Sequence, residues 1–541
     1  MRGPVAAVTA LLVLPGLCLV GAPAGPVDAP SAHPLHSRLD HAGPTTSPHP
    51  VTSTQFADPR EPNIWLITVD DMRADELRYM PRVRAVIGAR GFVWDSAFST
   101  FPLCCPARAS MVTGMYAHNH HVLGNDASEH GGFYYFMNHS HPANTLGIWM
   151  RRRGYMTAFV GKFLNRYGEK NARQVPPGWT QWRGLPGLQA YDYFDQTWNV
   201  NGRLVETRGH NTRNVTKLSR QLMNNSGGKP FFLWSSYLAP HAAWDPGVGW
   251  QLPQPMRVDA TRHVGRSVLV KEHDLSDKPA FLQRRLSPLS TTTWRRVEEN
   301  RVLRARALMG VDRAIDRTIG RLASQGLLSR TLIIFTSDNG YALGEHNIPG
   351  GKAVPYEQVT KVPLMMRGPG VPIGTSRVLV GLHDITATIL EASGAYAGRT
   401  QDGVSLLSIA RDPGRYLHRP MLFEGGNVLG SELRLGRSPR GSRFFTAIRT
   451  QRYVYIRYIN GAYEFYDLRN DPNQLNSIRG RTSTRDQLAA ELRRLRNCDG
   501  SECNTSFRLQ SLEKQERFGH HELSGIPSLC ARWWLSGAEH G

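Results

Sequence analysis

Acidic residues are scarce in this sequence of 541 residues. Asp and Glu number 44 against 65 Lys and Arg, so the formal net charge at pH 7 is +21. Such an excess favours acidic partners: nucleic acids, anionic membranes, or sulfated and phosphorylated substrates. A basic surface that is merely solvated would give the same balance. No RNA- or DNA-binding motif is visible, which argues against nucleic acid as the partner.

Long apolar runs are also missing beyond the first 20 residues. Arg2, the apolar stretch Val5–Val20 and the small residues Ala22-Pro23-Ala24 form the pattern of a secretory signal that is cleaved after residue 24. No later run approaches the roughly 18 apolar residues that a membrane-spanning helix needs. The sequence therefore predicts a secreted protein without a membrane span.

Cysteine is rare, with six residues in the chain, and one of these lies inside the signal. An exported chain permits disulfides. Cys498 and Cys503 flank the short polar loop DGSE, and this spacing predicts that they pair. Cys530 is then free or paired with Cys105, which leaves Cys104 unpaired for chemistry.

The order of apolar and polar segments predicts an α/β domain. Residues 25–60 are rich in Pro, His, Ser and Thr, which is typical of a disordered linker. Four continuous apolar runs then indicate strands that are covered on both faces: Pro62–Val69, Met156–Val160, Phe231–Leu238 and Thr331–Thr336. Helical segments lie between them, notably Asn144–Arg153 and Val297–Gln325. We assign residues 61–414 to a domain with a large, mainly parallel sheet flanked by helices.

Residues 415–541 show a different pattern. Phe444–Arg449 and Tyr453–Tyr458 are joined by a tight link, and Asn460-Gly461 is a strong hairpin signal before Tyr463–Leu468. A charged helix is predicted over Gln487–Arg496. The sequence therefore predicts a smaller C-terminal α+β subdomain with an antiparallel sheet.

Each of the four strand-like runs of the larger domain ends in residues that could do chemistry: Asp70-Asp71, Lys162, His241 and Asp338-Asn339. In parallel sheets, ligands bind beyond the carboxyl ends of the strands. Three carboxylates and an amide oxygen are hard ligands, which suit Ca²⁺ or Mg²⁺ and suit zinc poorly. The alternative for Asp70-Asp71 alone is a helix cap with a surface acid, but together with Asp338-Asn339 at a second strand end they favour a divalent-cation site.

The stretch Cys104-Cys105-Pro106-Ala107-Arg108 predicts an anion site. Pro106 fits the first position of a helix, which places both cysteines at a helix N-terminus. Free backbone N–H groups and the helix dipole attract an anion there. Arg108, about one turn on, could point its guanidinium at the same place. The alternative is a pair of buried structural cysteines.

The C-x-P-x-R pattern of residues 104–108 resembles the signature of type I sulfatases. The resemblance covers roughly Asn63–Gly403 and continues through YEFYDLRNDPNQLNSI, which is similar to the family's closing motif. It implies an alkaline-phosphatase-like fold. In that family a formylglycine-generating enzyme oxidises the first cysteine to Cα-formylglycine, whose hydrate attacks the sulfate sulfur. The resemblance implies that role for Cys104.

The same resemblance implies a role for the other candidates. It implies one Ca²⁺ per chain, held by these residues: Asp70, Asp71, Asp338, Asn339 and the converted Cys104. Arg108 would steady the formylglycine, Lys162 and Lys352 would bind the sulfate, and His241 would protonate the departing alcohol. His118, in TGMYAHNHH, matches a further position and is a catalytic candidate without a defined role.

Details of the motifs indicate a branch of the family. CCPAR followed by TGMYAHNHHV, together with GKFLNRYG, is similar to the N-acetylglucosamine-6-sulfatase and extracellular endosulfatase branch. Ala107 stands where that branch usually has serine. Leu164 stands where arylsulfatases place a catalytic histidine, so that role is vacant or is taken by a neighbour such as Asn165 or His118.

The implied substrate is a sulfated sugar, first of all the 6-O-sulfate of N-acetylglucosamine in a glycosaminoglycan. An arginine-rich stretch that continues into the C-terminal sheet predicts that the substrate carries further anionic groups. Its members are Arg434, Arg437, Arg440, Arg443, Arg449, Arg452 and Arg457. Three alternatives stay open. The chain could be an arylsulfatase, a phosphate or phosphonate monoester hydrolase of the same superfamily, or a secreted glycan-binding protein with a silenced site.

Overall fold

A sheet of ten strands lies at the centre of the fold. The computed structural model describes residues 61–140, 142–266, 269–426 and 442–510. The predicted signal and linker, Cys530 and the arginines at 434, 437 and 440 lie outside these ranges. Within the described ranges, every helix is too short or too polar to cross a bilayer.

The strands in chain order are β1 (Asn63–Val69), β2 (Phe92–Trp94), β3 (Ala97–Phe98), β4 (Met156–Gly161), β5 (Gln181–Gly184), β6 (Thr197–Val200), β7 (Arg203–Glu206), β8 (Phe231–Tyr237), β9 (Ala243–Asp245), β10 (Gly249–Gln251), β11 (Thr331–Ser337), β12 (Leu364–Arg367), β13 (Gly374–Ser376), β14 (Val380–Gly381), β15 (Met421–Gly426), β16 (Arg443–Arg449), β17 (Tyr453–Tyr458) and β18 (Tyr463–Asp467). The α-helices are α1 (Pro81–Val86), α2 (Cys104–Thr113), α3 (Ala117–His120), α4 (Gly132–His139), α5 (Leu146–Arg152), α6 (Asn211–Asn224), α7 (Ala280–Gln283), α8 (Thr291–Ser324), α9 (Glu357–Thr360), α10 (Asp384–Ser393), α11 (Leu406–Arg411) and α12 (Ser483–Leu495).

The large sheet has a parallel centre, a mixed margin on the β13 side and an antiparallel margin on the β7 side. Its strand order is β13-β2-β12-β11-β1-β8-β4-β5-β6-β7. The strands from β11 to β5 are parallel to their neighbours, whereas β12 and β6 pair antiparallel with them. All four strands expected from the apolar runs are present, within one or two residues at each end. The predicted α/β fold with a mainly parallel sheet is confirmed.

Helices cover both faces of this sheet, which explains why its strands are continuously apolar. On one face, α6 and α8 pack Val215 and Ile315 against a layer that includes Trp65. On the other face, α2, α5 and α10 contribute to a cluster that includes Leu66 and Trp149. Successive residues of a strand point to opposite faces, so Trp65 and Leu66 belong to different cores and both must be apolar.

The C-terminal region forms the predicted antiparallel sheet, with the order β15-β16-β17-β18. The turn at Asn460-Gly461 requires the left-handed backbone that glycine tolerates, since Gly461 has a φ of +89°. The predicted Cys498–Cys503 disulfide is present. The sheet shares an apolar core with Phe98 and Tyr116 of the preceding region. The domain boundary that we proposed at residue 414/415 falls between α11 and β15.

One local prediction is wrong: Pro106 does not stand first in its helix. The helix α2 begins at Cys104, so Pro106 is its third residue, and the first helical bond runs from Ala107 N to Leu103 O at 3.0 Å. The physical reason is that the first four N–H groups of a helix have no partner within it. A proline at the third position therefore removes no hydrogen bond within the helix, just as a proline at the first position removes none. Cys104 still lies at the N-terminus.

Candidate active site

Loops at one edge of the large sheet bring the candidate residues together. Asp70 and Asp71 follow β1, Lys162 follows β4, and Asp338 begins the loop after β11. Because these strands are parallel and β1 pairs with both β8 and β11, their carboxyl ends lie side by side. Helix α2 starts at the same edge, and its residues Cys104 and Arg108 contact the acids.

Asp338 accepts hydrogen bonds from the backbone of two other residues of the site, and the acids of the site are buried. The backbone N–H groups of Asp71 and Asn339 donate to Asp338 Oδ1 at 3.0 and 2.9 Å. Burial alone would raise the pKa of Asp70 and Asp71, but neighbouring cations outweigh it. Lys162 and other cations lower the pKa of Asp70, and Lys352 and other cations lower that of Asp71 to about 2. Both carboxylates are therefore ionised at neutral pH.

Arg108 is fully buried and joins the ends of several strands. Its Nε donates to Asp338 Oδ2 at 2.8 Å and its Nη2 to Asp70 Oδ2 at 3.2 Å. Its Nη1 donates to Lys162 O at 2.5 Å and to Ser236 Oγ at 2.8 Å. With its donors engaged in this way, Arg108 orients the acids and the start of α2.

Two lysines flank Cys104. Lys352 Nζ lies 2.8 Å from Cys104 Sγ and 2.5 Å from Asp71 Oδ1. Lys162 Nζ lies 2.5 Å from Asp70 Oδ2, in an ion pair that lacks the direction of a hydrogen bond. Burial, with Asp70 nearby, raises the pKa of the Cys104 thiol well above its usual value although both lysines oppose this. The unmodified thiol is therefore protonated at neutral pH, and a protonated thiol is a poor nucleophile.

His241 presents one ring nitrogen to the site. Its Nδ1 lies 2.7 Å from Ala242 O and donates to it, while Nε2 lies 3.5 Å from Asp71 Oδ2. The rings of Tyr191 and Trp250 lie 5.0 and 5.6 Å from the imidazole. Burial lowers the pKa of His241 to about 4 although both acids oppose this. The ring is therefore neutral at pH 7 until another negative charge arrives beside it.

The oxygen donors of the site fit a hard divalent cation. Ligand atoms of Asp70, Asp71, Cys104 and His241 lie within 4.8 Å of one another. Asn339 Nδ2 donates to Asp71 Oδ1 at 2.7 Å, while its Oδ1 is buried and has no hydrogen-bond partner among the described residues. A rotation of this amide would turn the unpartnered oxygen towards the acids, where a cation would need it. Oxygen ligands of this kind suit Ca²⁺ or Mg²⁺.

His118 lies apart from these residues, against the C-terminal sheet. Its Nδ1 is 3.1 Å from Glu424 Oε2 and its Nε2 is 2.9 Å from Cys498 O. Both partners are acceptors, so both ring nitrogens donate and the imidazole is a cation. Although burial opposes it, Glu424 raises the pKa of His118. This geometry supports a structural role, and the catalytic role for His118 stays a prediction.

We expect Glu424→Gln to destabilise the protein by about 3 kcal/mol at pH 6, because it leaves His118 and Arg443 without their buried partner. His118 and Arg443 overcome burial and lower the pKa of Glu424 to about 2 from 4.5, so its contribution is present above pH 4.5 and is lost towards pH 2. The contribution of His118 to the free energy of unfolding is complete below pH 6.5 and is lost as the pH rises through the raised pKa of His118.

Urea unfolding of both proteins at pH 6 and pH 9 measures this effect. The difference between wild type and Glu424→Gln should be largest at pH 6 and should shrink as the pH rises through the raised pKa of His118, after which only Arg443 still needs the carboxylate. An equal difference at both pH values would contradict a His118 contribution that is lost with rising pH.

Tyr191 is a member of the site that the sequence did not reveal. Its ring lies 4.5 Å from Lys162 Nζ and contacts His241, and its hydroxyl accepts from Asn165 Nδ2 at 2.8 Å. Leu164 is buried in the core beneath. The neighbouring Asn165 thus holds Tyr191 beside Lys162 and His241. Tyr191 lies about 30 residues after Lys162 in the sequence, so no local sequence motif predicts that it belongs to the site.

A cavity of about 610 Å³ lies next to the site. Its wall includes Ala117 and Leu123, which pack in one cluster with Leu103 and Ala353, the neighbours of Cys104 and Lys352. Its charged lining combines residues of three segments: His118, His121, Arg443, Arg457 and Arg496. The cavity thus extends the candidate site with a basic wall.

Solved structures share this fold. A protein in complex with its substrate D-glucosamine-2-N,6-O-disulfate matches with a TM-score of 0.62 and 21% identity, over 86% of this chain and 100% of that one. The phosphonate monoester hydrolase of Agrobacterium radiobacter matches with a TM-score of 0.60 and 20% identity, over 81% and 96%. At such identities the likeness extends to the fold alone.

Curated relatives are more similar in sequence. The N-acetylglucosamine-6-sulfatases of Capra hircus and Homo sapiens are each 30% identical to this chain, over 82% and 83% of it and over 85% and 87% of their own lengths. The arylsulfatase of Volvox carteri is 31% identical, over 84% of this chain and 78% of its own.

Two family models match the chain. The N-sulphoglucosamine sulphohydrolase C-terminal model matches residues 344–498, which include the whole antiparallel sheet. The Sulfatase model matches residues 62–395, which include every strand end that supplies the buried site and the helix that begins at Cys104. The chain therefore belongs to the sulfatase family.

Proposed function

We propose that this protein removes sulfate from a sulfated sugar, and that the 6-O-sulfate of N-acetylglucosamine in a glycosaminoglycan is its substrate. One observation supports this above all: a helix N-terminus, two lysines and an imidazole converge on Cys104 in a buried site. A sulfate ester is an anion whose bridging oxygen gains charge as the S–O bond breaks, so its hydrolysis needs fixed positive charge and one acid.

Cys104 supplies the nucleophile in this proposal, after a formylglycine-generating enzyme has converted it to Cα-formylglycine. The hydrated aldehyde offers an oxygen nucleophile where the buried thiol offers none. Lys352 lies 2.8 Å from the Cys104 sulfur, so it can hold that oxygen and a sulfuryl oxygen at once. Arg108 fixes the helix start and the acids through its hydrogen bonds to Asp338, Asp70 and Lys162 O.

Lys162 and His241 serve the substrate on the other side of the site. Lys162, over the Tyr191 ring, contributes positive charge beside the sulfuryl group. His241 Nε2 is the ring atom that faces the site, and it protonates the departing sugar oxygen. An arriving sulfate ester brings the negative charge that allows the neutral ring to take up its second proton.

We propose Ca²⁺ as the resident cation, held by oxygens of Asp70, Asp71, Asp338, Asn339 and the converted Cys104. When bound, it neutralises charge that builds on the sulfuryl oxygens. The buried, partnerless Asn339 Oδ1 supports its presence. The lysines then no longer have to balance the acids alone.

The experiment that tests the function is sulfate release from N-acetylglucosamine-6-sulfate, a small aryl sulfate and the matching aryl phosphate. Faster turnover of the sugar sulfate than of either aryl ester supports the proposal. Preference for the aryl sulfate would indicate an arylsulfatase, and preference for the phosphate would indicate the phosphate or phosphonate hydrolase that the shared fold allows. A folded, formylglycine-containing protein without any turnover would indicate a glycan-binding protein.

The basic cavity supports a substrate with further anionic groups. Of the predicted arginine stretch, Arg443 and Arg457 line the cavity, whereas Arg449 and Arg452 form ion pairs elsewhere. Arg457 is exposed beside Tyr455, with which it hydrogen-bonds, and its remaining donors can meet a sulfate or carboxylate of a neighbouring sugar by paired hydrogen bonds.

We expect Arg457→Gln to raise the KM for a sulfated oligosaccharide roughly fivefold, with kcat and the turnover of an aryl sulfate unchanged. High salt should raise the KM for the oligosaccharide in the same way, because the Debye length falls from about 10 Å at 0.1 M to about 3 Å at 1 M and the charges are screened. Arg469→Gln is the matched control, since Arg469 is exposed and lies outside the cavity. Equal salt dependence for both substrates would leave Arg457 without a role in recognition.

We also propose that the protein is secreted through its N-terminal signal. The disulfide between Cys498 and Cys503 supports an oxidising destination. Extracellular sulfatases of Caenorhabditis elegans and Drosophila melanogaster are among its relatives.

A further inference from the structure

A second basic groove lies between the helices α6 and α8. It has a volume of about 730 Å³. Both helices lead into the amino ends of strands: Asn224 ends α6 seven residues before β8, and Ser324 ends α8 seven residues before β11. The end of the groove near Asn224 and Arg321 therefore lies at the edge of the sheet opposite to the candidate active site.

The groove presents two parallel rows of cations. Arg313, Arg317 and Arg321 recur every four residues along α8, and Arg213 and Lys217 do so along α6. Residues four apart lie on the same side of a helix, so each row lines one wall. Two hydrogen bonds between the helices keep the rows aligned, from Arg220 Nε to Thr318 Oγ1 at 2.9 Å and from Gln325 Nε2 to Asn224 Oδ1 at 3.1 Å.

Most of these cations lack an acidic partner. Arg313 pairs with the buried Asp259. In the part of the chain that the structure describes, the four exposed cations of the groove form no ion pair: Arg213, Lys217, Arg317 and Arg321. Like charges four residues apart destabilise a helix. Burial, with Arg321 and Arg317 nearby, also lowers the pKa of Arg220. The arrangement thus costs stability without serving the fold.

The shape and lining of the groove select one kind of polyanion. None of the described residues that line it is aromatic, whereas single-stranded nucleic acids bind on aromatic stacking platforms. Its concave form suits a single chain better than the flat surface of a membrane. The side-chain amide of the exposed Gln221 lies among the cations and can hydrogen-bond to sugar hydroxyls.

We propose that this groove is a second, non-catalytic binding site for a sulfated polysaccharide chain. The inference rests on the proposed function, because it assigns the same class of polymer to both sites. A chain held in the groove stays attached to the enzyme while another part of it enters the active site, which raises the local concentration of scissile sulfates.

The test is binding of a heparin octasaccharide to the full chain that carries Cys104→Ala, which prevents turnover. The groove variant replaces four exposed cations by glutamine: Arg213, Lys217, Arg317 and Arg321. The control variant removes the same charge from exposed positions outside the groove: Arg90, Arg151, Arg152 and Arg469. We expect at least about tenfold weaker binding for the groove variant and less than about threefold for the control.

Stability and competition make the test specific. We expect the groove variant to melt at the same temperature as its parent or higher, because like-charge repulsion within the helices is relieved. If it fails to fold, the double variant Arg317→Gln/Arg321→Gln replaces it. Equal loss of binding in groove and control variants would overturn the proposal. So would stronger binding of an RNA oligomer or of anionic vesicles than of the oligosaccharide, when that binding is lost in the groove variant.

Failure of the proposed function would look different. In that case the formylglycine-containing enzyme would release no sulfate from a sulfated sugar. The comparison of octasaccharide binding between the groove variant and the control variant would still show whether the groove binds the polysaccharide.

Discussion

Replacing Cys104 by alanine is expected to abolish sulfate release, with a loss of at least about 10⁴-fold in kcat. The other groups of the proposed mechanism bind the substrate, hold the cation or transfer a proton, so none of them can replace the nucleophile. Lys352 Nζ is 2.8 Å from Cys104 Sγ, and the backbone start of α2 faces the same point. The fold should survive, because alanine removes a single buried sulfur atom. Turnover of a sugar sulfate, together with the melting temperature, measures both expectations.

Cys105→Ala is the matched control. Cys105 is equally buried but belongs to the apolar cluster beneath α2, where burial raises the pKa of its thiol to about 12. This variant should keep most of the activity. A mass spectrum of the peptide with residues 104 and 105 adds direct chemical evidence, since conversion to formylglycine lowers the mass and only Cys104 should carry it. An active Cys104→Ala enzyme would refute the mechanism.

The sequence predicted the elements that are long, apolar and periodic. The strands around Trp65 and Ile334 are covered on both faces, so their residues are apolar without interruption and their bounds can be read almost to the residue. Because parallel strands end at one edge, the acids after β1 and β11 could also be expected to meet. Their contact through Asp338 Oδ1 is confirmed.

Contacts that depend on side-chain packing between distant segments could not be predicted in this way. Lys352 was assigned only through the resemblance, and Tyr191 was missed, because each reaches the site from a loop whose course no periodicity fixes. The start of α2 was misplaced because Pro106 is tolerated at either position. The arginine stretch looked continuous, but Arg449 at the end of β16 and Arg452 in the following turn pair with acids of their own.

The charges of the site point to a missing positive partner. Three carboxylates face three cations at close range, so the buried groups balance and leave no net charge for an anionic substrate. Lys162 and Lys352 each lie 2.5 Å from a carboxylate oxygen. A divalent cation among the acids would free both lysines to bind sulfate. The proposed Ca²⁺ thus explains how the same lysines can serve the substrate.

Chelation is therefore expected to lower kcat at least about a hundredfold, because the site loses several kcal/mol of charge stabilisation. Adding Ca²⁺ or Mg²⁺ should restore turnover. Independently of activity, Ca²⁺ at a hundred times its Kd should stabilise the folded chain by about 2.7 kcal/mol. Asp338→Asn should lose this stabilisation, whereas Asp274→Asn, at an exposed acid, should keep it. Restoration by zinc alone, or a Ca²⁺ effect that persists in Asp338→Asn, would contradict this assignment of the oxygen ligands.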